Sequence, residues 1–534
     1  MAFPPSEKEK REYYYGLPSQ PVLVARSNPD DEWYSEDVGG NWPESARKRL
    51  SNVGQHKIVN MWDGPLREQI LEAIQPLEWN SVDVLRIDYE QDETVPDEQV
   101  GGNFARKHPE PPVTLFVTVQ PSTPSATWGH AYSIAMRCKE ILENFDINDV
   151  HCEIKEGQVY QKARLTPVDF DPSSEDAMFK KQFSENISAS IAPRHAPREE
   201  GMKGLYLRFR MPDEPDQTVL LTSRHVALPS LEVDEAIWVA EDASDRPSYP
   251  IIQPSNTTVE KYTRYLLEKR KRYWQQRTTL NPRPSRDDRM SADEWRAVKA
   301  NWDAISVKLK DTQRDIEKLE ELSDPDTRII GHVVISPYLS FRPKHDQDCS
   351  KADYALIRLS QAKHQTALNS LENRLHVGNK SHEDAASLFK NTGLQVPRGI
   401  GKSSLLKGKI PEAELFRERS RPLLVGKCGN GSNLTFGYSN EVKSLRRYGD
   451  YYPGLYGEEW CVIGIGGSFA KEGDSGAVVW EAGDETEHRR VGGLITSGSG
   501  SNKTESDVTY VTPLERLIND IKEYGHRVSL IGEE

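Results

Sequence analysis

Three short stretches of the chain hold the residue types that acyl transfer requires. "VLLTSRHVAL" sets His225 directly after an apolar run, and "DCSKADYALIRL" sets Asp353 at the head of an alternating apolar segment. "KEGDSGAVVW" sets Ser475 between glycines, just before another apolar segment. A serine hydroxyl becomes a useful nucleophile when a histidine takes its proton and an acid orients that histidine. N–H groups must also receive the oxyanion. The order His, Asp, Ser discriminates little by itself, because the 13 histidines and many carboxylates of the chain allow it by chance. The local contexts carry the signal. The bland alternative for each residue is a satisfied core histidine, a core aspartate and a turn serine.

Other chemistries find less support. The five cysteines are odd in number, scattered, and free of any CxxC pair, so neither a zinc site nor a disulfide framework is expected. No metal-ligand spacing stands out, and no cofactor is expected. "RGIGKSS" resembles a phosphate loop, but Val396 stands where the first glycine of such a loop belongs. A net charge of −14 and a pI near 5.6 argue against nucleic acid as the main partner. The opening "MAFPPSEKEKREYYYG" has no apolar stretch after its charges, and no window approaches the roughly 18 apolar residues of a membrane span. These features lead us to expect an intracellular protein, cytoplasmic or nuclear, without signal peptide, membrane partner or transmembrane segment.

The elements that must position the three residues follow from periodicity. Residues 1–30 read as a loose tail, and 31–187 as a small α+β domain. "GPLREQILEAI" and "AYSIAMRCKEILENF" have helical periods there, while "VDVLRIDY", "PVTLFVTV" and "DVHCEI" read as strands. The Pro- and Arg-punctuated stretch 188–204 reads as a linker. Residues 205–534 are mostly β, interrupted over 255–325 by a helical pattern. In its second half Trp295, Val298, Trp302, Ile305, Leu309, Thr312, Ile316 and Leu319 recur at alternating spacings of three and four, a heptad seam. Ser291 and Glu294 form a capping box at its start. Val259, Tyr262 and Leu266 on the preceding helix complete an antiparallel hairpin, a coiled-coil surface that a partner protein could use. The N-terminal domain is the other candidate partner surface.

The region from about 200 to 530 resembles the trypsin/chymotrypsin-like serine protease family. "LTSRHVAL" is similar to that family's Thr-Ala-Ala-His box, "ADYALIRL" to its Asp-Ile-Ala-Leu-Leu strand, and "EGDSGAVVW" to its Gly-Asp-Ser-Gly-Gly-Pro box. "GGLITSGSG" resembles the strand that binds substrate backbone, and "TYVTPLERLINDI" the closing strand and C-terminal helix. The resemblance implies two antiparallel six-stranded β-barrels, here with a helical-hairpin insertion and a preceding α+β domain. It implies Ser475 as nucleophile, His225 as general base and acid, and Asp353 as orienting group. Backbone N–H groups of Gly473 and Ser475 would form the oxyanion hole. Thr496, Ser497 and Gly498 would bind the main chain of a protein or peptide substrate.

Departures from the family pattern are informative. Val226 and Lys471 replace the family's cysteines near the histidine and the serine, which agrees with a disulfide-free protein. Phe469, six residues before Ser475, replaces the acid of trypsin-like specificity pockets and points to a small or apolar P1 residue. His225 and Asp353 are 128 residues apart, and the hairpin accounts for the excess. No Ile-Val-Gly-Gly activation sequence stands near residue 200, so Asp474 needs a partner other than a freed N-terminus, such as an internal Arg or Lys. One expectation is a regulatory or pro-domain released by cleavage around 194–204. The alternatives to an endopeptidase are an inactive scaffold serving as an interaction module and a protease that processes only itself.

Overall fold

The computed structural model describes residues 3–28, 47–89, 111–161, 179, 181–229, 237–238, 249–280, 291–337, 341–344, 348–351, 353–377, 388–389, 397, 403–447, 456–483, 488–501 and 505–533. The architecture is sheet-rich, and no helix among these residues is long and apolar enough to cross a membrane.

The N-terminal unit is built on strands β1 (Leu23–Arg26), β2 (Trp79–Tyr89), β3 (Val113–Val119) and β4 (His151–Glu156), adjacent in the order β1-β4-β3-β2. Helix α1 (Arg67–Ile74) precedes β2. Helix α2 (Trp128–Asn144) is the crossover that lets β3 and β4 run parallel. All seven residues of β3 are buried, which requires cover on both faces. Leu115 and Val117 pack with Ile134 and Cys138 of α2 on one face. Phe116 on the other meets Tyr14, Leu85, Ile463 and Tyr510. That second face explains why residues 3–28 are not the loose tail that their charge suggested. Tyr13, Tyr14 and Leu17 are buried against it, and Leu23–Arg26 pairs with β4. One further strand, β5 (Gln158–Gln161), follows β4 after a single glycine.

Two β arrays make up the remainder. In the first, β6 (Ser190–Pro193), β7 (Leu205–Arg210), β8 (Gln217–Thr222), β9 (Pro250–Ile252), β10 (Ile329–Ser336) and β11 (Ala355–Leu359) lie in the order β7-β8-β11-β10-β9-β6. The outer strands β6 and β7 do not pair with each other among the described residues, so this array is open. In the second, β12 (Leu424–Gly429), β13 (Asn433–Ser439), β15 (Tyr456–Gly464), β18 (Val508–Pro513), β17 (Arg489–Gly500) and β16 (Val478–Glu481) pair in sequence. The last returns to the first, giving a closed ring. A short strand, β14 (Ser444–Arg447), pairs with both β15 and β2, so the ring and the N-terminal sheet are continuous.

The stretch 188–204 is therefore not a free linker. Ser190–Pro193 is strand β6 and Gly201–Met202 pairs back onto it, with both segments buried. Arg194, Pro197 and Arg198 lie in the turn between them, while Pro193 closes the buried strand. Strands 403–409 and 527–530 (β19) also escaped the sequence reading, because their polar residues mask short half-buried segments.

The hairpin follows the heptad reading. Helices α3 (Asn256–Leu280) and α4 (Ala292–Glu321) pack against each other, and Ser291 and Glu294 exchange both capping-box hydrogen bonds. Arg270 bonds Gln313 at 2.7 Å while Arg277 lies over Trp302, a pairing that only antiparallel helices allow. Ile305, Thr312, Ile316 and Leu319 are buried, and Phe179 stacks on Tyr262 at the hairpin's base.

Candidate active site

His225 sits in a one-turn helix (Arg224–Ala227) directly after β8, as its place behind an apolar run implied. Asp353 precedes β11, the strand that pairs with β8: Thr222 lies opposite Ala355. That register brings carboxylate and imidazole together. His225 Nδ1 is 2.9 Å from Asp353 Oδ2 and 3.1 Å from Oδ1, and the His225 amide donates to Oδ1 at 3.2 Å. The acid is 2% exposed and the histidine 8%. With Nδ1 facing the carboxylate, the lone pair of a neutral ring lies on Nε2. Nε2 is buried and has no hydrogen-bond partner among the described residues.

The turn carrying Ser475 is fully buried and joins the His225 segment through two shared backbone anchors. Met202 donates its amide to the Ser475 carbonyl at 2.8 Å and accepts the Thr222 hydroxyl at 2.8 Å. Ile495 presents its carbonyl to the Gly476 amide at 2.8 Å and to the Ser223 hydroxyl at 3.2 Å. Gly201 lies between the two segments. A β-carbon there would stand 2.3 Å from a Val226 methyl and 2.9 Å from the Ser475 carbonyl oxygen, so the close approach requires glycine.

The turn itself is set by Gly473, at φ +89°, and by Asp474 beneath it. Asp474 accepts hydrogen bonds from Lys427 Nζ at 2.7 Å, the Gly431 amide at 2.8 Å, the Ser432 hydroxyl at 2.5 Å and the Lys471 amide at 2.9 Å. Burial alone would raise the Asp474 carboxyl. The Lys427 ammonium and these hydrogen bonds outweigh burial and hold it below the usual carboxylate range. Lys427 is thus the internal cation that the missing activation sequence called for. The signal that singles it out is a lysine amid the apolar "LLVGKCG", at a position fully buried on β12.

Further positioning residues were not evident from sequence. Arg224 is buried, and its Nη1 donates to the Ser336 hydroxyl at 2.7 Å and to the Ser336 and Pro337 carbonyls. The Ser336 hydroxyl donates in turn to the Tyr354 carbonyl at 3.0 Å, beside Asp353. These bonds tie the histidine turn to the aspartate from below.

Two expected binding features stand differently. Phe469 lines no open wall. It is 1% exposed in the ring's core with Met202, Trp460 and Ile495, because a phenyl ring among strands finds more apolar contact inward. Thr496, Ser497 and Gly498 do lie on β17 next to Ile495, and Ser497 Oγ accepts from Arg446 at 2.8 Å. The main chain of Ser497 and Gly498, however, is already paired with Gln161 and Tyr160 of β5.

Among the described residues, Cys138, Cys152, Cys428 and Cys461 are buried thiols without disulfides. No protein-family model matches the chain, and no curated protein sequence matches it.

Proposed function

We propose that the protein is a serine endopeptidase with a chymotrypsin-like pair of barrels, the closed ring being one and the open six-strand array the other. The observation that carries this reading is the His225–Asp353 pair at 2.9 Å, held by shared anchors beside the turn of Ser475.

In this reading Ser475 Oγ attacks the scissile carbonyl carbon while His225 Nε2 takes the hydroxyl proton. Asp353 fixes the Nδ1–H tautomer and stabilises the imidazolium that forms. The Gly473 and Ser475 amides receive the oxyanion. Collapse of the tetrahedral adduct breaks the C–N bond, and Nε2 returns its proton to the departing amine. Water, deprotonated by Nε2, then hydrolyses the Ser475 ester and frees the acid. The Lys427–Asp474 pair supports a turn that is ordered in the uncut chain, which favours activity without release of a pro-segment.

Hydrolysis of unfolded casein by the full chain is the test. It should be lost in both Ser475→Ala and His225→Ala while their melting curves stay cooperative. Equal turnover by wild type and Ser475→Ala would reassign the chain to a non-catalytic scaffold.

A further inference from the structure

Strand β17 has two edges. Strand β18 covers one of them over residues 493–499, so every other partner over that span lies on the opposite edge. On that opposite edge β16 pairs with residues 491–494, and β5 then pairs antiparallel with Ser497–Gly500. Between them comes Ile495, whose carbonyl receives the Gly476 amide and the Ser223 hydroxyl. The C-terminal end of β5 therefore comes up to the Ser475 turn on the same edge. Its polarity is equally specific. Gln158 lies opposite Gly500 and Gln161 opposite Ser497, so the chain runs from N to C toward the Ser475 turn.

The N-terminal sheet delivers this strand. Gly157 alone separates β4 from β5, and its amide bonds the Val119 carbonyl at 3.0 Å. Lys155 Nζ reaches Asp507 at 3.2 Å, with both side chains fully buried, which fixes the end of β4 against the start of β18. Strand addition to a sheet edge is a general mode of peptide recognition, in which main-chain hydrogen bonds supply the affinity.

We propose that the chain's own residues Gln158–Gln161 block the Ser497–Gly500 edge of β17 against extended peptide, so that an incoming peptide must displace them. This rests on the protease reading for its consequence, restrained turnover of protein substrates, although the binding itself does not depend on catalysis. A tethered segment acts at an effective concentration on the order of millimolar. Free peptide must then bind the closed edge about tenfold or more weakly than the open one.

The test uses the full chain, a fluorescein-labelled Gly-Gln-Val-Tyr-Gln peptide, and the variants Tyr160→Pro and Val159→Pro. Alternate residues of an antiparallel strand donate across the ladder, so one of these two neighbouring prolines removes a donor to β17. Fluorescence anisotropy should show peptide binding at least about tenfold tighter in a folded proline variant than in wild type. Casein hydrolysis should rise in that variant and fall again on adding unlabelled peptide. A fluorophosphonate, which needs no extended edge, should label Ser475 in both. If labelling is equal but peptide affinity and casein turnover are unchanged, the proposal is overturned and the protease reading stands. If Ser475 is not labelled in any form, the protease reading falls, and the anisotropy alone decides whether the edge accepts peptide. Should both variants lose their cooperative melt, excess peptide added to wild type must accelerate amide exchange at residues 158–161. Unaltered exchange at saturating peptide overturns the proposal.

Discussion

His225 and Asp353, far apart in sequence, meet through both ring and main chain: the ring Nδ1 lies 2.9 Å from Oδ2 and 3.1 Å from Oδ1, and the histidine's own amide lies 3.2 Å from Oδ1. The amide contact fixes the carboxylate relative to the backbone that carries the ring. Asp353 thereby sets both tautomer and orientation.

Asp353→Asn keeps the shape but presents an amide to Nδ1, favouring the wrong tautomer. We expect kcat on a peptide substrate to fall by about 10⁴. Steady-state kinetics beside a thermal melt checks this, since a purely structural aspartate would shift the melt and leave kcat largely intact.

Lys427→Met strands Asp474 as an unpaired buried carboxylate. Breaking a buried pair by removing one partner costs about 3–5 kcal/mol. Urea titration should show a loss of that order, and Asp474→Asn in the same background should restore part of it. The pH dependence has a definite sign. Asp474 is held below its ordinary value in the fold, so its contribution is present at neutral pH and disappears as pH falls through the folded value. Wild type should therefore lose more stability on acidification than the double variant.

Lys203 gives the same sign in a higher pH window, as a cost of burial that is relieved on the alkaline side. Burial pulls its ammonium from 10.5 down to about 7. Between those values the unfolded chain binds the proton that the folded chain has released, so stability rises with pH across that window. Urea midpoints at pH 7 and pH 9 should separate further in wild type than in Lys203→Met.

Gly201→Ala and Gly473→Ala probe the site's backbone. The first introduces a methyl between Val226 and the Ser475 carbonyl, and the second strains a turn at φ +89°. The conformational cost at Gly473 is roughly 1–2 kcal/mol. Both variants should lose kcat more than their melting temperatures imply, because each displaces the turn that carries Ser475; proportionate losses would assign these glycines to stability alone.

Much of this site was legible in the sequence because its residues sit at strand ends. An apolar run ending in Ser-Arg-His and another beginning at Asp353 announce two strands whose pairing brings their ends together. The heptad spacing of the hairpin was equally plain, since its seam must bury Ile305, Ile316 and Leu319 together. What sequence did not show depends on distant partners. Tyr13 and Tyr14 look like part of a charged tail until Phe116 gives them a face to cover. Met202 and Ile495 act only through backbone atoms, which carry no side-chain signature. Val159 packs against the cluster around Tyr510, but nothing in "EGQVYQ" says that it would join the strand beside Ser475.

The most direct measurement is covalent labelling of the full chain with a fluorophosphonate, followed by peptide mapping. The account predicts one phosphonylated residue, Ser475, with labelling abolished in Ser475→Ala and strongly slowed in His225→Ala. Labelling that persists in Ser475→Ala, or a folded wild-type chain that takes no label, would contradict it.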